Sequence, residues 1–328
     1  MRVLFIGGTG IISSACSPRA IDQGMDLYLL NRGKTSRPAP AGATVLHGDI
    51  RDPASAAAAI GSLTFDAVVD WIAFTPQHIE SDIALFTGRT RQFVFISSAS
   101  AYHKPVRSLP ITESTPLHNP WWQYSRDKIA CEERLIRAYR EEGFPVTIVR
   151  PSHTYDRTLL PGHGGYTDID RIRKGKKIIV HGDGTSLWVM TNHRDFARGF
   201  VGLLGNDRAL GEAFHITSDE ALTWDQIWEI MGQAAGARPK IVHVPSDVIN
   251  RYDGRWGASL LGDKTHSVLF DNTKIRRLVP DYCASIPFHA GAREIMEWYD
   301  GDPSRRKTDP EIDALYDRII GDCGFDGR

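Results

Sequence analysis

The sequence predicts an α/β protein built on a doubly wound parallel sheet that helices cover on both faces. Short apolar runs alternate with helical stretches through the first half of the 328-residue chain. The first run, VLFI, leads directly into the glycine-bearing segment GGTG and then into a helical stretch. Strands that are unbroken apolar runs are buried on both faces, which is typical of parallel sheets between two helical layers.

The predicted elements follow in order along the chain. Strands are predicted at residues 3–6, 26–30, 44–46, 67–72, 92–97 and 146–149, and later at 178–180, 213–216 and 241–244. Helices are predicted at residues 12–23, 53–60, 124–142, 193–204, 224–235 and 288–299. Asp52 and Thr223 are suited to cap two of these helices. The highly charged segment 300–328 is predicted to be a surface extension.

The composition excludes several classes of protein. Lys plus Arg number 39 and Asp plus Glu number 40, so no overall field attracts nucleic acid or an anionic membrane. No apolar run reaches ~18 residues, which argues against a membrane span. The four cysteines show neither CxxC pairing nor metal-ligand spacing, which predicts no metal site and a cytoplasmic location. Strand-like sequence begins at Arg2 and leaves no room for a signal peptide.

The turn after the first strand predicts a dinucleotide site. Gly7, Gly10 and Ser13 occupy the three positions of a G-x-x-G-x-x-G loop. Glycine lets the backbone turn sharply and approach a pyrophosphate, which then lies on the N-terminus of the next helix beside Ile11 and Ile12. A plain strand-to-helix turn is the alternative. The position of the loop, directly after a strand that begins at residue 3, favours the dinucleotide site.

The end of the second strand bears on the choice of cofactor. NAD-selective sites usually place a carboxylate there for the adenosine ribose, and this segment has none. Asn31 can still hydrogen-bond a ribose, while Arg32 and Lys34 could receive a 2′-phosphate. The cofactor is therefore predicted to be NAD(P), with Arg32 favouring NADP and a solvated basic turn as the alternative. Asp49, followed by Ile50, could accept a hydrogen bond from the adenine amino group; the alternative is a helix N-cap, for which Asp52 is the stronger candidate.

Ser98, Tyr124 and Lys128 form a candidate catalytic set. A phenol has a pKa of about 10, and an ammonium one helical turn away favours the phenolate by charge attraction. Tyr124 is assigned as general acid and base, Ser98 as the hydroxyl that holds the substrate oxygen, and Lys128 as the group that lowers the tyrosine pKa and binds the nicotinamide ribose. YxxxK alone is weak evidence. The prediction of a catalytic set rests on the position of this motif after both the glycine loop and the strand FVFISSASAY.

With these motifs the chain resembles the extended short-chain dehydrogenases/reductases, the NAD-dependent epimerase/dehydratase family. The resemblance rests on GGTGIIS, GDIRD, VVDWIAF, FVFISSASAY, YSRDK, IVRPSHTYD and GDGTSLWVMTNHRDFA. It implies a Rossmann domain over residues 1–155, with later returns near 192–217. It also implies a smaller, partly interleaved substrate domain over residues 156–328.

The resemblance also implies further cofactor contacts. Ile72 ends the fourth predicted strand, and Pro151 closes the last strand beside the nicotinamide. His153 is implied to lie near the carboxamide, with a packed histidine at a strand end as the alternative.

The departures from the family pattern concern the substrate. Nucleotide-sugar epimerases carry an arginine after GDGT that binds the diphosphate, and Trp188 stands at that position here. A second such arginine is expected before Gly262, where residues 259–261 are Ser-Leu-Leu. Each missing charge-assisted contact is worth ~1.5–3 kcal/mol. The sequence therefore favours a free sugar, a small glycoside or another polyol over a nucleotide-linked sugar.

Aromatic residues are predicted to receive such a ring. Trp188 offers a ring face and one N–H donor, and Trp121, Trp122 and Trp256 offer further faces, although each could be an ordinary core or interface aromatic. Ser100 is a second candidate for substrate binding. With Ala99 it takes the place of the Asp-Glu pair of sugar 4,6-dehydratases, so dehydration is disfavoured.

These observations predict a cofactor-dependent epimerase or dehydrogenase that acts on a secondary hydroxyl of a carbohydrate-like substrate. One alternative is a nucleotide-sugar 4-epimerase. Another, from a different class, is a non-catalytic NAD(P)- or RNA-binding scaffold, because GGTG, NRG and GTSLW resemble a branch that includes chloroplast RNA-binding relatives. The balanced charge argues against nucleic acid as a partner. Homodimer formation is left open.

Overall fold

The computed structural model describes residues 1–34 and 37–324. The strands in chain order are β1 (Arg2–Ile6), β2 (Asp26–Asn31), β3 (Thr44–His47), β4 (Ala67–Asp70), β5 (Phe93–Ile96), β6 (Val146–Pro151), β7 (His153–Tyr155), β8 (Lys177–His181), β9 (Leu187–Trp188), β10 (Met190–Asn192), β11 (Ala213–Ile216), β12 (Leu222–Thr223) and β13 (Lys240–Val244). Seven of them form one parallel sheet in the order β11-β6-β5-β4-β1-β2-β3. This confirms the predicted α/β fold.

The α-helices in chain order are α1 (Ser13–Asp22), α2 (Pro53–Ile60), α3 (Pro76–Phe86), α4 (Gln123–Arg137), α5 (Tyr166–Arg173), α6 (His193–Val201), α7 (Trp224–Ala235), α8 (Ser246–Tyr252), α9 (Gly254–Ser259), α10 (Thr273–Leu278), α11 (Phe288–Asp300) and α12 (Pro310–Asp322). Single 3-10 turns lie at Ala99–Ala101, Asp207–Ala209 and Pro303–Arg305. Single π-helical turns follow α4 at Ala138–Glu142 and α9 at Leu260–Lys264.

The first strand shows why the sheet is covered on both faces. Successive side chains of a strand point to opposite faces. Val3 and Phe5 pack into one apolar cluster with residues of α1 and α6, whereas Leu4 and Ile6 pack into another with residues of α2, α3 and α4. All four side chains are fully buried. An unbroken apolar strand thus becomes the centre of a three-layered unit.

The strand order places the candidate site. From β1 the chain builds outward through β2 and β3, then returns to β4 on the other side and continues through β5, β6 and β11. The direction of winding therefore reverses between β1 and β4. In open parallel sheets, ligands bind at the carboxyl ends of the strands beside such a reversal. Gly7, Ile72 and Ser98 follow β1, β4 and β5 at this edge.

The remaining strands form three two-stranded sheets, which pair β8 with β13, β7 with β10, and β9 with β12. Helices α5, α7 and α11 supply apolar side chains to a separate core cluster with β8. This cluster contains Trp188, Trp224 and Trp228, all of which are buried. These three tryptophans therefore lie inside this second core cluster.

The C-terminal segment contradicts the prediction of a surface extension over 300–328. Residues 310–322 form α12, whose Tyr316, Ile319 and Ile320 are buried against the cluster that contains Trp256. The carboxylate of Asp309 caps this helix by accepting from two backbone amides. The apolar residues of this segment are spaced one helical turn apart, which makes the helix amphipathic. The many charged residues between them led to the wrong prediction of a surface extension.

Other elements differ at their limits or were missed. Helix α4 begins at Gln123, and the predicted span to residue 142 ends in a π turn before Gly143, which has a left-handed backbone. The helices α3, α5, α8, α9, α10 and α12 were not predicted. No helix in the described part of the chain combines the length and apolar character that crossing a bilayer requires.

Candidate active site

The loop after β1 has the geometry of a phosphate-binding turn. Gly7 has a φ of 84°, and a Cβ atom there would lie 2.9 Å from the Ile72 side chain. The Ser13 hydroxyl accepts a hydrogen bond from the Gly10 amide at 2.8 Å and donates one to the Gly7 carbonyl at 3.0 Å. Ser13 is therefore more than a small packing residue, because it braces the loop against the first turn of α1.

The start of α1 fits the pyrophosphate of a dinucleotide. Ile12 occupies the N-cap position and gives no side-chain hydrogen bond to the helix. Anions bind to helix N-termini whose amide groups lack internal partners. Ile11 and Ile12 are both half-buried at this turn. The predicted residues of the glycine loop therefore lie together, at the reversal point between β1 and β4.

The predicted adenosine side is more exposed. Arg32 lies beside Asp49, with 3.8 Å between Nη1 and Oδ2, and both side chains face solvent. Asp49 also accepts a hydrogen bond from the Arg51 amide at 2.9 Å. Asn31 ends β2 and is half-buried, and Ile50 is buried. The four predicted residues meet at one edge of the sheet.

Sequence reasoning missed Arg37 near this loop. Its guanidinium donates to the Gly10 carbonyl at 3.1 Å and to the Asp156 carboxylate at 2.7 Å. Arg37 thereby joins the segment after β2 to the glycine loop and to the segment after β7. No local pattern indicated this, because the two partners are far from Arg37 in the sequence.

The structure brings Ser98 and Tyr124 to one cavity. Tyr124 lies in the first turn of α4, Ser98 is the second residue after β5, and both line a cavity of about 240 Å³. Lys128 is buried one helical turn beyond Tyr124. Its ammonium donates to the carbonyls of Ala73 and Ile96, each at 2.7 Å. The predicted catalytic set is therefore assembled around the carboxyl ends of β4 and β5.

The electrostatics of Tyr124 differ from the expectation that Lys128 lowers its pKa. Burial is the largest influence and raises the pKa of Tyr124 above its ordinary value. A hydrogen bond with the Ser98 side chain opposes this rise. The Lys128 Nζ lies 5.8 Å from the tyrosine ring centroid, and its charge is directed at two backbone carbonyls. In this structure Tyr124 is a neutral phenol at physiological pH.

A chain of hydroxyl groups supports Ser98. The Ser125 Oγ donates to Ser100 Oγ at 2.7 Å, and Ser100 Oγ lies 2.9 Å from Ser98 Oγ. Ser100 and Ser125 are both buried. The hydroxyl of Ser100, predicted to bind substrate, is thus engaged by two other serines while its residue lines the cavity. The sequence did not indicate a role for Ser125.

The opposite wall contains Pro151, His153 and Trp188. The Trp188 indole donates to His153 Nδ1 at 3.1 Å. Burial, with a smaller effect of the Lys264 charge, lowers the pKa of His153 to about 3. His153 is therefore neutral, with its remaining N–H on Nε2. The expectation that Trp188 offers its N–H to a ligand is wrong, because His153 already accepts that hydrogen bond.

The other aromatic residues predicted to bind a sugar ring lie in three different places. Trp122 lines the Tyr124 cavity, and its ring centroid lies 4.9 Å from that of Tyr124. Trp256 lines a neighbouring cavity of about 310 Å³ instead. Trp121 is exposed and stacks loosely on His266, outside both cavities. A stacking role in the Tyr124 cavity is therefore compatible with Trp122 and Trp188 alone among the four.

The charges of the two cavities are few. Asp263 and Lys264 line the Tyr124 cavity, and Asp263 is paired with the buried Lys104 at 3.2 Å. Lys264 also lines the neighbouring cavity. Within residues 1–34 and 37–324, no arginine lines either cavity, and no group of three His, Cys, Asp or Glu side chains is arranged to hold a metal ion. Lys264 was not identified from the sequence.

Comparison with known proteins agrees with this arrangement. The model of the "NAD dependent epimerase/dehydratase family" matches residues 3–217. The chain is 25% identical over 294 residues to 2′-dehydrokanamycin reductase of Streptomyces kanamyceticus, covering 86% of this chain and 80% of that protein. It is 26% identical over 262 residues to a chloroplast stem-loop binding protein of Arabidopsis thaliana, covering 74% of this chain and 65% of that protein.

A solved structure shares the fold. UDP-glucose 4-epimerase of Thermotoga maritima, determined with UDP-glucose, aligns with a TM-score of 0.72 at 19% identity, over 92% of this chain and 99% of that one. The family match covers more than half of the chain and includes the glycine loop, Ser98, Tyr124 and Lys128. The chain therefore belongs to the NAD-dependent epimerase/dehydratase family and is an enzyme of the extended short-chain dehydrogenase/reductase type.

Proposed function

We propose that the protein interconverts a secondary alcohol and the corresponding ketone, by hydride transfer to or from NAD(P), in a sugar or sugar-like substrate that carries no nucleotide. The observation that carries this proposal is the composition of the cavities. Tyr124 and Ser98 face a space lined mainly by uncharged side chains, with Asp263 and Lys264 as its charged residues, and no arginine of the described residues lines it or its neighbour. Lys264 is the one Lys or Arg side chain of the described residues that lines the two cavities. Burying a diphosphate with so few cationic partners would cost several kcal/mol, whereas a hydroxylated ring needs only ring faces and hydrogen bonds.

The residues of this chain supply proton transfer and orientation. The bound nicotinamide of NAD(P) would give or take the hydride. Tyr124, held as a neutral phenol by burial, is set to donate its proton to a substrate carbonyl oxygen, and as phenolate it would take the proton back. Ser98, braced by Ser100 and Ser125, would hold the same oxygen. Lys128 has two of its three donors on backbone carbonyls, which leaves one for a ribose hydroxyl.

The cofactor preference is part of the proposal. Arg32 is exposed where the adenosine ribose is expected, and its only close carboxylate partner in the described chain, Asp49, is 3.8 Å away. A loosely paired guanidinium can turn to a 2′-phosphate at little cost. We therefore propose that NADP binds more tightly than NAD.

The test is a panel of free sugars, methyl glycosides, polyols and UDP- or dTDP-sugars, followed by reduced-nicotinamide absorbance and by product stereochemistry. Tyr124→Phe should lower turnover by ~10²–10⁴-fold and leave cofactor affinity unchanged, because only the phenolic oxygen is lost. Tyr139→Phe is the matched control, since Tyr139 is exposed beyond the end of α4.

Three results would contradict the proposal. Turnover of Tyr124→Phe within a few-fold of the unmodified protein would remove Tyr124 from proton transfer. If a nucleotide sugar is the preferred substrate, the alternative function of a nucleotide-sugar 4-epimerase is favoured over the proposed one. Specific binding of structured RNA without any hydride transfer would favour the scaffold. Inversion at one carbon without net cofactor reduction would identify an epimerase within the proposal.

A further inference from the structure

The two cavities beside Tyr124 are joined by shared residues. The Tyr124 cavity has a volume of about 240 Å³ and the neighbouring one about 310 Å³. His153 and Lys264 line both. The wall of the second cavity includes three tryptophans, Trp224, Trp228 and Trp256, together with aliphatic side chains and histidines. Together they form two chambers that meet at His153 and Lys264.

Lys264 is held at this junction by its backbone. Its carbonyl accepts hydrogen bonds from His181 Nε2 at 2.9 Å and from the Ser186 hydroxyl at 3.1 Å. Its ammonium lies 5.4 Å from the Trp122 ring centroid and 5.8 Å from that of Trp188. The side chain is thus directed between two rings at the junction, in a position fixed by several independent contacts.

The ammonium of Lys264 has no anionic partner in the described part of the chain. No carboxylate oxygen there lies within ion-pair distance of its Nζ, and the adjacent Asp263 is paired with Lys104. The nearest titratable rings are neutral, since burial lowers the pKa of His153 to about 3 and that of His181 to about 4. Burial lowers the pKa of Lys264, and the charge of the adjacent Asp263 opposes this shift. The Lys264 side chain therefore lies between the two chambers with no carboxylate of the described residues in ion-pair contact with it.

We infer that Lys264 binds a single anionic group, a carboxylate or a phosphate monoester, of a glycoside whose sugar ring lies against Tyr124 and whose second ring lies on the tryptophans of the neighbouring chamber. This inference deepens the proposed function and rests on it. One lysine satisfies one such group. A diphosphate would need further cations that the chambers lack, and a polyamine would be repelled by the same charge.

Binding of three matched probes tests the inference: phenyl β-D-glucoside, phenyl β-D-glucuronide and phenyl β-D-glucoside 6-phosphate. They share both rings and differ in the absence of an anion, a carboxylate or a phosphate. Each is titrated by calorimetry in the presence of oxidised cofactor. At least one anionic probe should bind roughly 10- to 100-fold more tightly than the neutral one, as expected for a charge-assisted hydrogen bond. The tighter of the two anionic probes identifies the group.

Variants assign the preference to this residue. Lys264→Met should bring the three affinities within about 3-fold of one another, since only the charge-assisted bond is lost. Lys264→Arg should retain the preference for the anionic probe. Lys174→Met is the matched control, because Lys174 is exposed on α5. Thermal melting with cofactor verifies that each variant is folded.

The inference is overturned if the neutral probe binds as tightly as both anionic ones, if none of the three binds, or if Lys264→Met keeps the preference. These results are separable from the proposed function, because the titrations measure binding and not turnover. If hydride transfer depends on Tyr124 but probe affinity does not depend on the charge at residue 264, the proposed function stands and only the inference of an anionic glycoside is refuted.

Discussion

At the scale of the residue, the surroundings of a side chain determine its chemistry. Burial lowers the pKa of Lys128 to about 8, while two carbonyls hold its ammonium in place. The same burial raises the pKa of Tyr124. The YxxxK spacing places the two groups one turn apart, but their protonation follows from how deeply α4 is packed. Arg32 is the opposite case, since it is exposed and can change partners.

Replacement of Arg32 tests the cofactor preference. Arg32→Ala should weaken NADPH binding by roughly 10-fold and NADH binding by much less, because only NADPH carries the phosphate that the guanidinium would meet. Fluorescence titration with both reduced cofactors measures the two affinities. Arg91→Ala is the control, since Arg91 is more exposed and pairs with Asp66 away from the site. Equal losses for both cofactors would leave Arg32 a surface residue and NAD the favoured cofactor.

At the scale of the element, the turn between β1 and α1 joins the sheet to the cofactor site. Its glycines have no side chains that would block access to the backbone, and the Ser13 hydroxyl of α1 hydrogen-bonds to two backbone groups of the turn. The helix α4 carries Tyr124 and Lys128 on one face by its period alone. Both elements could be predicted because their determinants are local. The amphipathic helix α12 was not predicted, because its charged residues concealed the few apolar positions that pack against the cluster containing Trp256.

Gly10 offers a direct test of that turn. A Cβ atom at Gly10 would lie 3.3 Å from Ser13 Oγ, so a branched side chain crowds the brace as well as the phosphate path. Gly10→Val should weaken NAD and NADP binding alike, by roughly 10-fold or more. Gly254→Val is the control, because nothing lies near a Cβ there. Unchanged calorimetric affinities in a folded Gly10→Val protein would remove this loop from the cofactor site.

At the scale of the whole molecule, contacts between distant segments tie the second half together. Asp168 of α5 accepts the Gly164 amide at 3.0 Å and interacts with Tyr316 of α12. Burial raises the pKa of this carboxyl to about 7. The folded protein therefore holds a proton on Asp168 at a pH where the unfolded chain has lost it. The C-terminal helix thus packs over an acid that is protonated at mildly acidic pH.

This coupling predicts how stability depends on pH. Because the folded pKa exceeds the unfolded value of about 3.9, the contribution is complete below pH 4 and is lost as the pH rises to about 7. Relative to Asp168→Asn, the free energy of unfolding of the unmodified protein should fall by up to about 4 kcal/mol over that range. Urea unfolding measures the difference, with Asp170→Asn as the control, because Asp170 is a half-buried carboxylate of the same helix paired with Lys174. A difference that is constant from pH 4 to 8 would show that Asp168 does not titrate in this way.

The sequence by itself determined the parallel sheet, the glycine turn and the set of Ser98, Tyr124 and Lys128. Each of these depends on spacing within one element or on the order of neighbouring elements, and both are visible in a single chain. The residue identities also predicted a candidate site without two of the expected arginines, and no arginine of the described residues lines the Tyr124 cavity or its neighbour.

Only the tertiary structure decided which groups meet. Lys264 lines the Tyr124 cavity although it lies far from Tyr124 in the sequence. The Trp188 indole N–H donates to His153, and Arg37 bridges the glycine loop and Asp156. Burial likewise sets the pKa of Tyr124 against the expectation from its neighbour. The physical reason is common to all of them: desolvation and long-range hydrogen bonds arise from packing between segments far apart in sequence, which no local pattern records.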